Sequence, residues 1–167
     1  MISNKINRLV ISIMMLLAVS QQAKAQLSKN SKLDFWIGKW DLYSGGSRFG
    51  ESQVDTALDD FVIKEDFVEF PPDPFHGLNL TTYDPETNKW EQTMIDNQGH
   101  HSLFIGEFKD NKMVFVRNYK NKKGEGRIQR TTFYNITKDS FDWTFDASSD
   151  DGKTWNVFYT VHYLRKN

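Results

Sequence analysis

Phe35-Trp36-Ile37-Gly38-Lys39-Trp40-Asp41-Leu42-Tyr43 is the stretch that decides the fold. It is dense in aromatic and β-branched residues, the side chains that favour a pleated strand, and it sets two tryptophans around a Gly-x-Trp step. Downstream, nearly every segment alternates apolar and polar residues, and turn residues recur every eight to fifteen positions. The pattern predicts about ten strands: 36–43, 50–54, 61–70, 77–83, 89–96, 102–109, 112–119, 127–135, 140–147 and 154–164. The joints Ser44-Gly45-Gly46, Asp84-Pro85-Glu86-Thr87-Asn88, Asp110-Asn111, Lys138-Asp139 and Asp150-Asp151-Gly152 carry hairpin chemistry. Short joints make sequence neighbours antiparallel partners. A meander of that many alternating strands closes most economically into a single all-β, up-and-down barrel of about 8–10 strands. Phe70-Pro71-Pro72-Asp73-Pro74-Phe75-His76, which holds three of the four prolines, is too stiff for a strand interior and is expected at the barrel mouth.

Residues 1–25 read as a secretory signal peptide: Lys5 and Arg8 precede an uncharged run from Leu9 to Val19, and Ala23-Lys24-Ala25 gives a small-x-small cleavage pattern. The run falls short of the roughly 20 apolar residues of a membrane span, so no membrane association is expected after cleavage. The mature domain then covers residues 26–167, is secreted or periplasmic, and holds 18 basic against 22 acidic residues, a formal charge of about −4. That sign disfavours nucleic acid and anionic membranes as partners. With no cysteine, the chain must rely on core burial and backbone pairing instead of disulfides. The 13 Phe, 5 Trp and 6 Tyr all lie beyond residue 25 and suit either a packed barrel interior or a small-molecule pocket.

Side chains two apart on a strand share a face, and this parity selects candidate lumen residues. Gln92 and Asp96 share the face of Trp90 and Met94; Glu65 goes with Phe61, Ile63 and Phe67; Arg130 goes with Ile128 and Tyr134. Trp90, Gln92, Asp96, Glu65, Arg130 and Tyr134 are therefore the expected ligand-binding set, with Trp36 and Trp40 closing the base. The alternative is a structural network in which Arg130 pairs with Glu65 or Asp96. Asp96 or Glu65 as general base, with His162 or Arg130 as partner, would make the barrel a lyase, isomerase or hydrolase acting on a sugar or lipid fragment. A third class is an interaction module that docks through an exposed aromatic rim.

No metal site and no cofactor are expected. His100 and His101 are adjacent and point to opposite faces of a strand, and no histidine has ligand spacing. His76 sits beside the proline loop. His162, near the chain end, resembles the proximal histidine of nitrobindin-type haem barrels, which leaves a haem-binding alternative, although the glycine-rich run those proteins carry is missing here. Ser148-Ser149-Asp150-Asp151-Gly152-Lys153-Thr154-Trp155 fits the Asp-box pattern once; the expected role is a hairpin turn whose Asp and Thr cap backbone groups above Trp155. Asn79-Leu80-Thr81 and Asn135-Ile136-Thr137 match the glycosylation acceptor pattern by chance.

Phe35-Trp36-Ile37-Gly38-Lys39-Trp40, then Tyr83-Asp84-Pro85 with Trp90, Gln92 and Asp96, then Asp150-Asp151-Gly152-Lys153-Thr154-Trp155 and the terminal Tyr163 and Arg165, together resemble a bacterial domain-of-unknown-function family of secreted calycin-like (lipocalin-like) proteins. The resemblance implies a barrel in which the glycine lets the first strand bend across the closed end and the tryptophan plugs that end beneath a ligand cavity. It implies no catalytic residue. Met94 and the proline loop depart from the family pattern.

Overall fold

The computed structural model describes residues 31–72 and 74–166, so the expected signal segment and cleavage site lie outside the described residues. A short 3-10 helix, Ser31–Trp36, leads into ten strands: β1 (Gly38–Ser44), β2 (Ser47–Ala57), β3 (Val62–Glu69), β4 (His76–Asp84), β5 (Lys89–Asp96), β6 (His101–Lys109), β7 (Lys112–Lys120), β8 (Gly126–Tyr134), β9 (Ser140–Ser148) and β10 (Asn156–Arg165). Each strand pairs antiparallel with the next, and β10 returns to β1, closing the sheet. This is a closed up-and-down barrel, consistent with a calycin/lipocalin-like fold. Gly45-Gly46 and Asp110-Asn111 have positive φ at both residues, the conformation two-residue hairpins need to match strand twist.

Strand direction sorts the joints into two ends. The turns after β2, β4, β6 and β8 lie at one end, with the 3-10 helix and the start of β1. The turns after β1, β3, β5, β7 and β9, including the proline loop, ring the other. The first end is packed solid. Leu33, Trp36, Trp40, Met113, Phe115 and Phe141 are all fully buried. Phe141 lies 4.3 Å from Tyr163, 4.9 Å from Trp40 and 5.4 Å from Phe35 between ring centroids, and Trp36 meets Phe133 edge-on at 4.9 Å. Trp36 is on the helix, not on the first strand as the sequence pattern suggests, and its carbonyl accepts a 2.8 Å bond from the Trp40 indole N–H.

The two ends of the chain meet at this floor. The Arg165 guanidinium stacks 4.1 Å over Trp40 and donates to the carbonyls of Phe35 (2.9 Å), Ile37 (2.8 Å) and Lys138 (2.8 Å). Gly38 has φ 138°, and a Cβ there would lie 2.2 Å from Arg165 Nη1. The glycine of the opening motif is thus required twice: for a backbone bend L side chains rarely adopt, and for space occupied by the guanidinium that locks β10 to β1.

Candidate functional site

Register fixes which side chains face the lumen. Trp40 opposes Ser52, Ser52 opposes Phe67, Glu65 opposes Asn79, Thr81 opposes Gln92, and Gln92 opposes Phe104. The same ring continues through Phe115, Thr131 and Phe145.

Halfway up the barrel sits a polar layer around Glu65, which is 2% exposed. Its carboxyl accepts bonds from Ser52 Oγ (2.7 Å), Asn79 Nδ2 (2.6 Å) and Tyr163 Oη (3.1 Å). Burial pushes the Glu65 carboxyl up from its usual value, and these three donors only partly offset that cost. The Trp36 indole N–H, buried without a hydrogen-bond partner, lies near enough to favour the charged form slightly. Tyr163 is held well above its ordinary phenol value, first by burial and then by the charge and hydrogen bond of Glu65. Beside this layer the Gln92 amide donates to Thr81 Oγ1 at 3.1 Å.

Above the layer, inward-facing side chains open to solvent. Along β7 the inward series runs Met113 and Phe115, both fully buried, then Arg117 and Tyr119, both partly exposed. Along β8, Phe133 and Thr131 are buried and Gln129 and Arg127 are not; along β10, Tyr163 and Val161 are buried and Tyr159 is 61% exposed. Phe141 is followed on β9 by the partly exposed Trp143 and Phe145, and Gln92 on β5 by Met94. In a closed barrel an inward side chain meets solvent only through the lumen. Toward the proline-loop end the inward aromatic and polar side chains are thus partly open to solvent, while those nearer the floor are sealed.

Of the residues chosen by parity, Trp90, Gln92 and Glu65 face inward. Asp96 is on the same face but at the strand end, where it caps the β5–β6 turn: its carboxylate accepts from the N–H groups of Gln98 (2.9 Å) and His100 (3.0 Å) and contacts His100 Nδ1 at 2.9 Å. Burial raises the Asp96 carboxyl, but those hydrogen bonds outweigh it and hold the group below its usual range. Arg130 and Tyr134 face outward, contrary to expectation, because Thr131 and Phe133 hold the inner face of β8. Arg130 makes a fork with Asp146 (3.0 and 2.7 Å) under the Trp155 ring at 3.7 Å, and so pairs with neither Glu65 nor Asp96 as the network alternative required.

His162 also points outward and contacts Asp142 at 2.8 Å. That orientation removes it both as a partner for Glu65 and as an axial ligand within the lumen. His76 contacts Asp66 at 2.8 Å on the outer surface. The Asp-box segment is a capped hairpin end: Asp150 accepts from Thr154 Oγ1 (2.6 Å), Thr154 N–H (2.9 Å) and Ser148 Oγ (2.7 Å), which lowers its carboxyl to about 2. Asn79, in one of the two glycosylation matches, is buried on Glu65.

Two depressions lie on the outer wall. One is lined by the charged side chains Lys39, Glu51, Lys64, Asp66 and Lys166, of which Lys166 pairs with Glu51 at 2.5 Å; the other is a shallow hollow beside the Gly45-Gly46 turn and His162. Among the described residues no three His, Asp or Glu side chains converge to hold a metal ion. Sequence reasoning missed Arg117, Ser102 and Tyr119 in the upper lumen, and Ser52, Asn79 and Tyr163 in the polar layer. The run Met113-x-Phe115-x-Arg117-x-Tyr119 held the signal, because its parity carries two core residues straight into an arginine. No family model and no curated protein matches this chain.

Proposed function

We propose that this protein is a secreted or periplasmic binding protein that holds a small, partly apolar molecule in the upper lumen of its barrel. The carrying observation is the exposure gradient: inward side chains are sealed below Glu65 and solvent-accessible above it on five strands. Barrels of eight or more strands have interiors wide enough for one small ligand, and a concave, aromatic-lined space with a few polar groups is the usual construction of such sites. The resemblance to secreted calycin-like proteins and the signal pattern read in residues 1–25 support the same reading. The enzyme alternative loses its acid–base pair, since Glu65 faces the lumen while His162 and Arg130 are on the outer face, paired with Asp142 and Asp146.

Native mass spectrometry on protein purified from its own host tests this, together with binding of an amphipathic fluorescent probe to the emptied barrel. The expected result is one bound molecule released on denaturation, and 1:1 probe binding that is abolished by Ala147→Trp, which adds a ring to the inner face of β9 opposite Gln129. Probe binding unaffected by Ala147→Trp would refute a lumen site.

A further inference from the structure

Arg117 stands apart from the other arginines of the described residues. Arg48 meets Asp41 and Glu51, Arg127 meets Glu125, Arg130 meets Asp146, and Arg165 meets three main-chain carbonyls. Arg117 has no carboxylate within ion-pair distance among the described residues. Its Nη1 donates to Ser102 Oγ, while Nε is buried without a hydrogen-bond partner and Nη2 bonds to no described residue. The guanidinium is held by rings, with Tyr119 at 4.6 Å and Phe104 at 5.7 Å from its carbon.

A buried donor atom left without a partner is costly, so a fold keeps one only where something else satisfies it. A second orphan lies beside it. Thr131 Oγ1 is buried without a partner one step deeper on β8, where Thr131 opposes Phe115 and Gln129 opposes Arg117. Both orphans are on inward-facing positions of neighbouring strands. The free Nε–Nη2 edge presents two parallel N–H donors at the spacing of two carboxylate oxygens, the geometry that distinguishes arginine from lysine as an anion reader.

We propose that Arg117 is a ligand-binding residue that takes the carboxylate of an amphipathic organic acid through this edge. Thr131 Oγ1 completes the head-group site, and the apolar body of the ligand extends toward Phe145, Met94 and Tyr159 at the mouth. This rests on the lumen reading above and adds the chemistry of the ligand. Tyr119 and Phe104 act as positioning residues that hold the guanidinium plane.

Calorimetric titration of the full mature chain with decanoate and with decanol tests it. The expected result is that decanoate binds about 10- to 100-fold more tightly than decanol, the span of one charge-assisted two-point contact. Arg117→Gln should erase that preference while retaining decanol binding and a cooperative melt, and Arg117→Lys should restore part of it. Arg130→Gln, on the outer wall, should leave the preference unchanged. Equal affinity for both probes in the native protein, or a preference that survives in Arg117→Gln, overturns the assignment while leaving lumen binding intact. Failure of both probes to bind, with the amphipathic dye also excluded, overturns the lumen reading itself.

Discussion

Phe141 is the centre of the barrel floor, and its removal gives the sharpest energetic test of the fold. The ring is fully buried and lies within 4.3 to 5.7 Å of Tyr163, Trp40, Phe35 and Phe133, centroid to centroid. Phe141→Ala takes away roughly 120–150 Å² of buried apolar surface, about 3–4 kcal/mol at 25 cal/mol per Å². The four ring neighbours are themselves wedged between β1, β8, β10 and the helix, so the cavity collapses only partly and adds to the loss, giving an expected total of about 4 kcal/mol. At roughly 3–4 °C per kcal/mol for a domain of this size, the midpoint should fall by about 12–16 °C. Urea denaturation and calorimetry read both quantities. Phe158→Ala, at a site that is 53% exposed, is the control and should cost less than about 1 kcal/mol. A loss under about 1.5 kcal/mol for Phe141→Ala would show that the floor is not packed as described.

Three further outcomes follow from the same structure. Glu65 has a folded-state pKa raised above its ordinary 4.5, so the folded state holds a proton the unfolded chain releases, and Glu65 weakens the fold as pH rises through that window. The stability of Glu65→Gln relative to the native chain should accordingly increase between pH 4.5 and 8 in urea titrations; a relative decrease would mean the carboxylate is preferentially stabilised. Asp150 is depressed from 3.8 to about 2, so its contribution is present above the unfolded value and lost as pH falls toward 2. The gap between native and Asp150→Asn should therefore close between pH 4 and 2, and a pH-independent gap contradicts the cap. Gly50→Ala would place a Cβ 2.5 Å from the Val68 carbonyl oxygen and 3.3 Å from Glu69 Cα, with backbone on both sides, and should destabilise by about 1–3 kcal/mol in the same assay.

The strand order and closure were legible because alternation persists wherever one face is buried, and because Gly45-Gly46 and Asp110-Asn111 carry unambiguous turn chemistry. What parity could not resolve was β8. Its Ile128, Arg130 and Tyr134 look like an inner face, since an apolar residue recurs every second or fourth position. They face outward because the Asp-box hairpin end folds back over this side of the sheet: Ile128 lies against the Gly152 turn, and Trp155 covers the Arg130–Asp146 fork. An outer strip thus buried acquires the composition of an inner one. Tyr134 shows the same effect, its phenol raised by partial burial and by the charge of Asp142. The polar layer was half legible: Glu65 and Gln92 followed from parity, but Tyr163 reaches Glu65 only because β10 closes on β1, a contact spanning 98 positions. Arg165 and Gly38 were visible as motifs, and their meeting at the floor became apparent only in three dimensions.

The claim on which the functional account depends is that the upper lumen, and not the outer wall, receives a ligand. Amide and side-chain NMR shifts during a decanoate titration measure this directly. The account predicts the largest changes at Met94, Arg117, Gln129 and Phe145, with Phe141 and Trp40 at the sealed floor nearly unmoved. Changes concentrated instead on the outward-facing Leu80, Ile95, Leu103 and Ile105 would contradict it.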